Sequence, residues 1–382
     1  MFINFWYAAE YSDRLQSEPL RVRILSHDFV LFRDADGKAR CLSDTCVHRG
    51  ASLSRGKLKH DCVQCPYHGW RFDGEGRCQA IPSLGPGHKV PPRARVDAYP
   101  VEERYGLVFV FLGDLPAAER PPIMPVEEWG NDAWRATLLD YYWQANYQRV
   151  IENGLDPAHN EFVHPTHGMS GEDPDYRVNE LRMNEEPWGW SFMHTYRGTS
   201  TKSFLTRFNE KKRVPPEAGT GHHGPNQMVT KIHINETKWL HQYIYETPID
   251  EFHTRGFLIN MRNFVLPKIL DRAVSKRNML VAEQDRAIVE RLAPRRTPRR
   301  APTELLMPAD KIVALYRSRM REWEDRGWRI DTEALNRVRA QGDVVTVIPS
   351  PARRERGGWV FDPAPLLAGE AEAGDAQRPQ IA

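Results

Sequence analysis

The sequence predicts an α+β protein in two parts, an N-terminal all-β unit and then a domain in which helices cover one face of an antiparallel sheet. Three observations lead to it. Short apolar runs separated by Asp-Gly dipeptides fill the first part, a proline-rich passage follows, and beyond it strand-length runs are flanked by helical stretches.

In the first part, Val22, Ile24 and Leu25, then Val30, Leu31 and Phe32, read as neighbouring strands. Asp36-Gly37 and Asp73-Gly74 mark hairpin turns, and Leu107 to Leu112, closed by Gly113-Asp114, reads as the last strand. Pro116, Pro121, Pro122 and Pro125 mark a boundary, so the expected domains are 1–115, 116–340 and a C-terminal extension, 341–382. In the second domain, residues 143–164 (with interruptions), 273–292 and 303–325 are expected as helices. Leu305, Leu306, Ile312, Val313, Leu315 and Tyr316 are spaced to give the last of these one apolar face. Residues 176–183, 188–197, 229–235, 239–247 and 254–262 are expected as strands, and the Ala- and Glu-rich tail from about 365 as disordered.

Charge excludes some functions. The 382 residues carry 53 Lys+Arg against 51 Asp+Glu, a balance with no general basic field for nucleic acid or a membrane surface. The longest apolar run, 107–112, is far short of the roughly 20 residues of a membrane-spanning helix. Met1 to Tyr7 lacks the basic start and cleavage site of a secretory signal, so a cytoplasmic protein is expected.

All five cysteines, Cys41, Cys46, Cys62, Cys65 and Cys78, fall in one short segment, which suits metal ligands better than a disulfide framework. Cys46-Val47-His48 and Cys65-Pro66-Tyr67-His68 each offer one thiolate and one imidazole. Zinc fingers pair like with like, whereas a Rieske [2Fe–2S] cluster takes a cysteine and a histidine from each of two loops. The spacing here fits the cluster. An all-cysteine zinc site at Cys41, Cys46, Cys62 and Cys65 would leave both histidines unexplained. With the cluster reading, Cys41, Cys62 and Cys78 are small buried residues.

A second constellation runs from Glu152 to Pro165. His159 and His164 are five residues apart, about 140° around an unbroken helix, and share a metal only if the helix ends between them. Pro165 provides a break, and Asp156-Pro157 reads as an N-cap followed by a first-turn proline. Two histidines and one carboxylate form the usual non-heme Fe(II) triad for activating O2. Asp285 has Val281, Ile288 and Val289 as helical neighbours, an apolar setting in which a carboxylate needs a purpose. Glu283, the second candidate, and Glu290 have Arg286 within reach and read as solvent-facing ion-pair residues.

Cys46-Val47-His48-Arg49-Gly50 and Cys65-Pro66-Tyr67-His68-Gly69-Trp70 resemble the signature of the Rieske non-heme iron oxygenases, aromatic ring-hydroxylating enzymes, in their catalytic α subunit. Asn4-Phe5-Trp6-Tyr7-Ala8-Ala9 resembles the opening of members such as vanillate and dicamba O-demethylases, and Glu152-x3-Asp156-x2-His159-x4-His164 resembles the iron-ligand motif. The resemblance covers residues 1 to about 330. It implies a Rieske domain, a helix-grip (START-like) catalytic domain, and a homotrimer in which electrons cross between subunits. Asp156 would then bridge His159 to His68 of a neighbouring subunit rather than bind iron, the alternative being a simple N-cap. Asn153 is placed near the open iron positions, or is only a polar helix residue.

Two such centres imply reductive oxygen activation on a C–H bond or arene. No G-x-G-x-x-G follows a strand and no second cysteine cluster is present, so a separate NAD(P)H-dependent reductase, with or without a ferredoxin, must supply electrons. Trp188, Trp190, Phe192, Phe204, Trp239 and Tyr243 are candidates for lining an aromatic or heterocyclic substrate pocket, core packing being the other explanation. Five arginines in 291–300 make a docking patch or a solvated loop. The activity expected is hydroxylation or oxidative demethylation. A cis-dihydroxylating dioxygenase and a non-catalytic electron carrier are the alternatives.

Overall fold

The structure is a computed structural model, and it describes residues 1–167, 171–196, 216–299 and 303–369. By internal packing the chain divides into one unit of residues 1–123, 247–251 and 321–382, and another of 124–246 and 252–320.

The first unit is built from small antiparallel sheets. β1 (Phe5–Tyr11), β10 (Val101–Arg104) and β11 (Leu107–Leu112) form one, with β11 central and buried throughout. β2 (Leu20–Ile24), β3 (His27–Arg33), β4 (Ala39–Ser43) and β9 (Ala98–Tyr99) form the next. The third is a short sheet of β5 (Lys57–Lys59), β6 (Cys62–Gln64), β7 (Arg71–Phe72) and β8 (Cys78–Ala80). Its core gathers Val30, Phe32, Leu42, Leu53, Val63 and Phe72 around Cys46 and Cys65. Both expected Asp-Gly turns are present, closed by Gly37 N–H to Asp34 C=O and by Gly76 N–H to Asp73 C=O.

The end of the chain returns to this unit. Trp323 packs edge-on against Phe5 at 4.7 Å, Tyr99 donates to the Ile348 carbonyl at 2.7 Å, and Arg353 grips Asp97 with two bonds of 2.7 and 2.9 Å. Disorder is therefore not the state of 365–369, since Leu366 bridges to Ile330 and Leu367 donates to Arg329. The remainder of the expected disordered tail, 370–382, lies outside the described residues.

The second unit is a seven-stranded antiparallel sheet in the order β12-β18-β17-β16-β15-β14-β13. Its strands are β12 (Arg135–Trp143), β13 (Arg182–Glu186), β14 (Gly189–Thr195), β15 (Glu217–His223), β16 (Gln227–His233), β17 (Trp239–Pro248) and β18 (Thr254–Arg262). The helices are α1 (Tyr147–Leu155), α2 (Asn160–Val163), α3 (Asp271–Val289) and α4 (Lys311–Asp325). Tyr141, Trp143 and Leu258 from the sheet meet Val150 of α1 and Val289 of α3 in one buried cluster. Helices thus cover the sheet face to which Leu139, Tyr141, Leu258 and Ile244 point.

Several expected elements shift. The strand expected at 176–183 is instead β13, which starts at Arg182, because 176–181 pair with no strand. β12 and β15 were not anticipated. β12 does alternate, Leu139, Tyr141 and Trp143 facing inward, whereas β15 is glycine- and histidine-rich and is held as a strand by neighbours on both edges. The helix expected from 303 starts at Lys311, since Pro308 opens only a short turn before it. Leu305 is 88% exposed and contributes to no apolar face, while Ile312, Val313 and Tyr316 are buried as expected.

Candidate functional site

Two chemically distinct clusters of donors emerge, one in each unit. In the first, Cys46 and Cys65 sit on two loops of matching construction. The Cys46 N–H donates to the Ala51 carbonyl and the Gly50 N–H returns to Cys46, at 2.9 Å each. The Cys65 N–H donates to Trp70 at 2.7 Å and the Gly69 N–H returns to Cys65 at 3.1 Å. Gly50 and Gly69 both close their turns at φ 73°, a left-handed conformation that disfavours side chains. Both sulfurs are buried and lie within hydrogen-bond reach of one another. Burial, reinforced by the neighbouring Cys65, pushes the Cys46 thiol up to about 12.

The histidines gather at the outer side of the same loops. The His48 and His68 rings lie 4.3 Å apart, and His48 stacks on Trp70 at 4.6 Å. Sulfurs thus meet sulfurs and imidazoles meet imidazoles, but among the described residues the four donors do not converge on one point. One tetrahedral zinc needs such convergence. A two-iron cluster, with thiolates on one iron and imidazoles on the other, does not. Cys41, Cys62 and Cys78 are free, buried thiols, with Cys78 donating to the Ala80 carbonyl at 3.4 Å.

In the second unit, His159, His164 and Asp285 come together although the carboxylate is over a hundred residues from the histidines. His159 Nε2 and His164 Nε2 are 3.2 Å apart, and Asp285 Oδ1 lies 3.5 Å from the first and 3.3 Å from the second. A triangle of this size suits three ligands of one ion, whose bonds to nitrogen and oxygen run about 2.0–2.2 Å. α1 stops at Leu155, α2 resumes at Asn160, and His164 leaves the helical region at φ −114°, ψ 70°, as Pro165 demands.

Each donor is held by another group. The Asp156 backbone carbonyl bonds His159 Nδ1 at 2.7 Å, Gln284 Oε1 bonds His164 Nδ1 at 3.1 Å, and Asn153 Nδ2 donates to Asp285 Oδ1 at 3.0 Å. Binding the Nδ1 atoms in this way leaves the Nε2 atoms to face the carboxylate. Burial opposes charge on His164, but the hydrogen bond and charge of Asp285 outweigh it and raise its pKa. Beside it, burial and then the His164 charge lower His167 to about 4.

Four expectations need correction. Asp156 is not the N-cap of the short helix. It ends α1, its Oδ1 accepts from the Ala158 N–H at 2.7 Å, and His159 occupies the cap position. Its Oδ2 stands 3.9 Å from His159 Nδ1, so the bond to that ring comes from the main chain. Ile288 is 48% exposed, and the face that Asp285 shares carries Ala282 and Val289 instead. Glu283 pairs with Arg286 at the surface as expected, but Glu290 accepts from the Gln144 N–H at 2.8 Å.

The aromatic candidates separate by strand alternation. Trp190 and Phe192, two apart on β14 with Ser191 between them, share a face and point to the helix-covered side together with Ile244. Tyr243 and Trp239 point to the opposite side, where the Tyr243 hydroxyl donates to Glu128 at 2.8 Å and Trp239 stacks on His233. Phe204 lies outside the described residues, and Trp188 occupies the β13–β14 turn. His241 is buried on Tyr243's side, its Nδ1 2.6 Å from Glu128. In the arginine-rich segment, Arg295 and Arg296 stack on Phe252, and Arg300 lies outside the described residues.

Sequence reasoning missed Gln284, adjacent to Asp285, and the buried ion network under α1. Glu152 accepts from Arg317 at 2.6 and 2.9 Å and from Arg149 at 3.1 Å, and Glu304 joins both arginines. Nothing in the spacing of these four residues signals the network.

A paired-loop cluster site and a helix-held triad under an antiparallel sheet define a Rieske iron–sulfur protein joined to a non-heme iron domain. Comparison with known proteins agrees. The Rieske [2Fe-2S] domain matches residues 5–100 and the vanillate O-demethylase oxygenase C-terminal domain matches 143–326. The chain belongs to the Rieske non-heme iron oxygenases. It is 37% identical over 164 residues to the 4beta-methylsterol monooxygenase of Methylococcus capsulatus, covering 42% of this chain and 44% of that protein. It is 29% identical over 315 residues to the methylxanthine N1-demethylase NdmA of Pseudomonas putida, covering 80% and 83%. The solved structure of NdmA from Pseudomonas putida CBB5 superposes with a TM-score of 0.70 at 25% identity, over 85% of this chain and 91% of that one. The chain spans about half the length of the first curated relatives it matches. Among the described residues, no helix is long and apolar enough to cross a membrane.

Proposed function

We propose that the chain is a terminal oxygenase component. It uses O2 and electrons from a separate NAD(P)H-dependent reductase, with or without a ferredoxin, to hydroxylate or oxidatively demethylate an aromatic or heterocyclic small molecule. The observation that carries this reading is the His159–His164–Asp285 triangle, which a mere electron carrier has no use for. Cys46, His48, Cys65 and His68 hold the cluster, and the triangle holds a lone Fe(II). When bound, the cluster supplies single electrons and the lone iron supplies oxygen activation.

The protein's own share is positioning. The Asp156 carbonyl and Gln284 fix the rings of His159 and His164 so that one nitrogen of each faces the metal position, and Asn153 holds the Asp285 carboxylate toward it. Asp156 keeps Oδ2 free of the local turn, and its carboxyl is held above the usual range mainly by burial. We assign that oxygen to a bridge from the His159 side to His68 of a neighbouring subunit in a homotrimer. The protein acts in the cytoplasm. The relatives' names, a sterol monooxygenase and a methylxanthine demethylase, support monooxygenation over cis-dihydroxylation without fixing the substrate.

The test is product analysis under labelled oxygen, with a surrogate reductase and a panel of aromatic acids, methyl ethers and N-methyl compounds. One labelled atom per product supports the proposal, two make it a dioxygenase, and electron transfer with no oxygenated product on any compound overturns it. Asp156→Asn should keep both metal centres and lose reductase-coupled turnover. An unimpaired variant would reduce Asp156 to a local turn residue.

A further inference from the structure

The first unit carries a cavity that neither metal centre uses. Its volume is about 180 Å³, and it is lined by residues of β3 and β4 together with residues of α5 (Thr332–Gln341) and β19 (Thr346–Val347) from the returning end of the chain. The walls are polar. Ser26 is 8% exposed and Ser43 4%, Thr45 is half-buried, and none of the three hydroxyls has a hydrogen-bond partner among the described residues. They differ from the unpartnered hydroxyls of Thr137 and Thr297, which are sealed from any free space. Buried hydroxyls that border a cavity without a partner call for an occupant.

The charges in the lining say which kind. Arg339 of α5 donates from Nη2 to the Ser26 carbonyl at 2.6 Å, and among the described residues no carboxylate pairs with it. Burial, and then the charge of Arg23, work against its guanidinium. Asp28 is the one acid in the lining, and its Oδ2 is already shared by Arg21 at 2.9 Å and Arg23 at 3.0 Å. The other Asp28 oxygen is sealed from free space, so an occupant does not meet it. His27 adds no charge. Its Nδ1 donates to the Leu25 carbonyl at 2.8 Å, its Nε2 accepts from the Thr346 hydroxyl at 3.3 Å, and burial followed by the Arg339 charge pushes its pKa down to about 3.

The free groups are therefore donors, and they carry excess positive charge. Water would satisfy the hydroxyls but not the charge of Arg339, whose planar fork matches two oxygens of one anion. A cavity of about 150 Å³ admits benzene, so this one has room for an anion of roughly five to seven heavy atoms. We propose that the cavity is a binding site for a small oxyanion, a phosphate or a short carboxylic acid, held by the guanidinia of Arg339 and Arg23 and by the hydroxyls of Ser26, Ser43 and Thr45. The occupant ties the returning segment to β3 and β4, and Thr45 directly precedes the cluster ligand Cys46. The site is separate from the triad and does not depend on the oxygenase reading.

The experiment is calorimetric titration of the full-length, metal-loaded protein with inorganic phosphate, malonate and chloride. At least one of the two oxyanions should bind about tenfold or more tightly than chloride, and whichever binds better names the source, phosphate or carboxylic acid. Arg339→Gln should weaken that binding at least about tenfold, Ser43→Ala severalfold, and Arg337→Gln, an exposed arginine of α5 outside the cavity lining, not at all. The cluster's visible absorption verifies folding of each variant. Hydrogen exchange should slow in 332–348 on addition of the oxyanion to wild type and stay unchanged in Arg339→Gln. No binding, chloride binding as tightly as either oxyanion, undiminished affinity in folded Arg339→Gln and Ser43→Ala, or equal loss in Arg337→Gln would overturn the proposal.

Discussion

The two metal-binding regions are built on opposite principles. The cluster loops are local: each cysteine is closed into its turn by the amides and carbonyls of residues four and five positions away, and its histidine follows within three residues. The iron triad is non-local, drawing on the junction after α1 and on α3, and each of its donors is braced by a hydrogen bond from another group. A loop site carries its geometry in its spacing. A helix site borrows its geometry from packing, so its failure modes lie in residues that never touch the metal.

The largest effect is expected at the cysteines. Cys65→Ser should abolish the cluster's visible absorption, while Cys62→Ser, three residues away in the same buried core, should leave it intact. Equal loss in both would mean that the local turn does not define the site. On the helical side, Glu152→Leu leaves the buried Arg149 and Arg317 with Glu304 as their one remaining shared carboxylate and should cost about 3 kcal/mol in urea unfolding. Asp36→Ala, whose exposed partner Lys38 is 3.9 Å away, should change stability by less than about 0.5 kcal/mol.

Glu246 sharpens the contrast through pH. It is fully buried on the helical side, hydrogen-bonded to the Tyr141 hydroxyl, and burial raises its pKa from 4.5 to about 8. The folded state holds this proton where the unfolded state has released it. Stability is therefore highest below about pH 4.5 with respect to this group and falls as pH rises toward 8, by about 1.4 kcal/mol per unit of pH at most. Glu246→Gln should flatten that slope in melting temperature between pH 5 and 8, and an unchanged slope would show that Glu246 is ionised in the fold. At the triad itself, Gln284→Leu frees the His164 ring and should weaken iron retention roughly tenfold in a chelator competition, with cluster absorption unaltered.

Legibility followed the same division. C-x-H and C-x-x-H could be read directly, because two or three residues of chain limit where a histidine can stand. Asp285 could be chosen because an acid among Val281, Ile288 and Val289 is chemically out of place. Ile288 was misjudged for a related reason: helical neighbours three and four apart share an edge, and only the packed sheet decides on which side of that edge solvent begins. Tyr243 and Trp239 show the limit in a strand, where alternation separates two faces but does not say which one the helices cover. β15, poor in strand-forming residues, exists because β14 and β16 flank it.

By itself, the sequence determined the donor types, the two cysteine–histidine turns, the break at Pro165 and the order of the two parts, since all of these follow from covalent spacing and backbone preference over a few residues. Tertiary structure alone decided that the Asp156 main chain rather than its carboxylate holds His159, that Gln284 holds His164, and that Arg317 reaches Glu152. Those contacts join distant segments, and the distance between such segments is set by how whole faces pack, a quantity that no short stretch of residues contains.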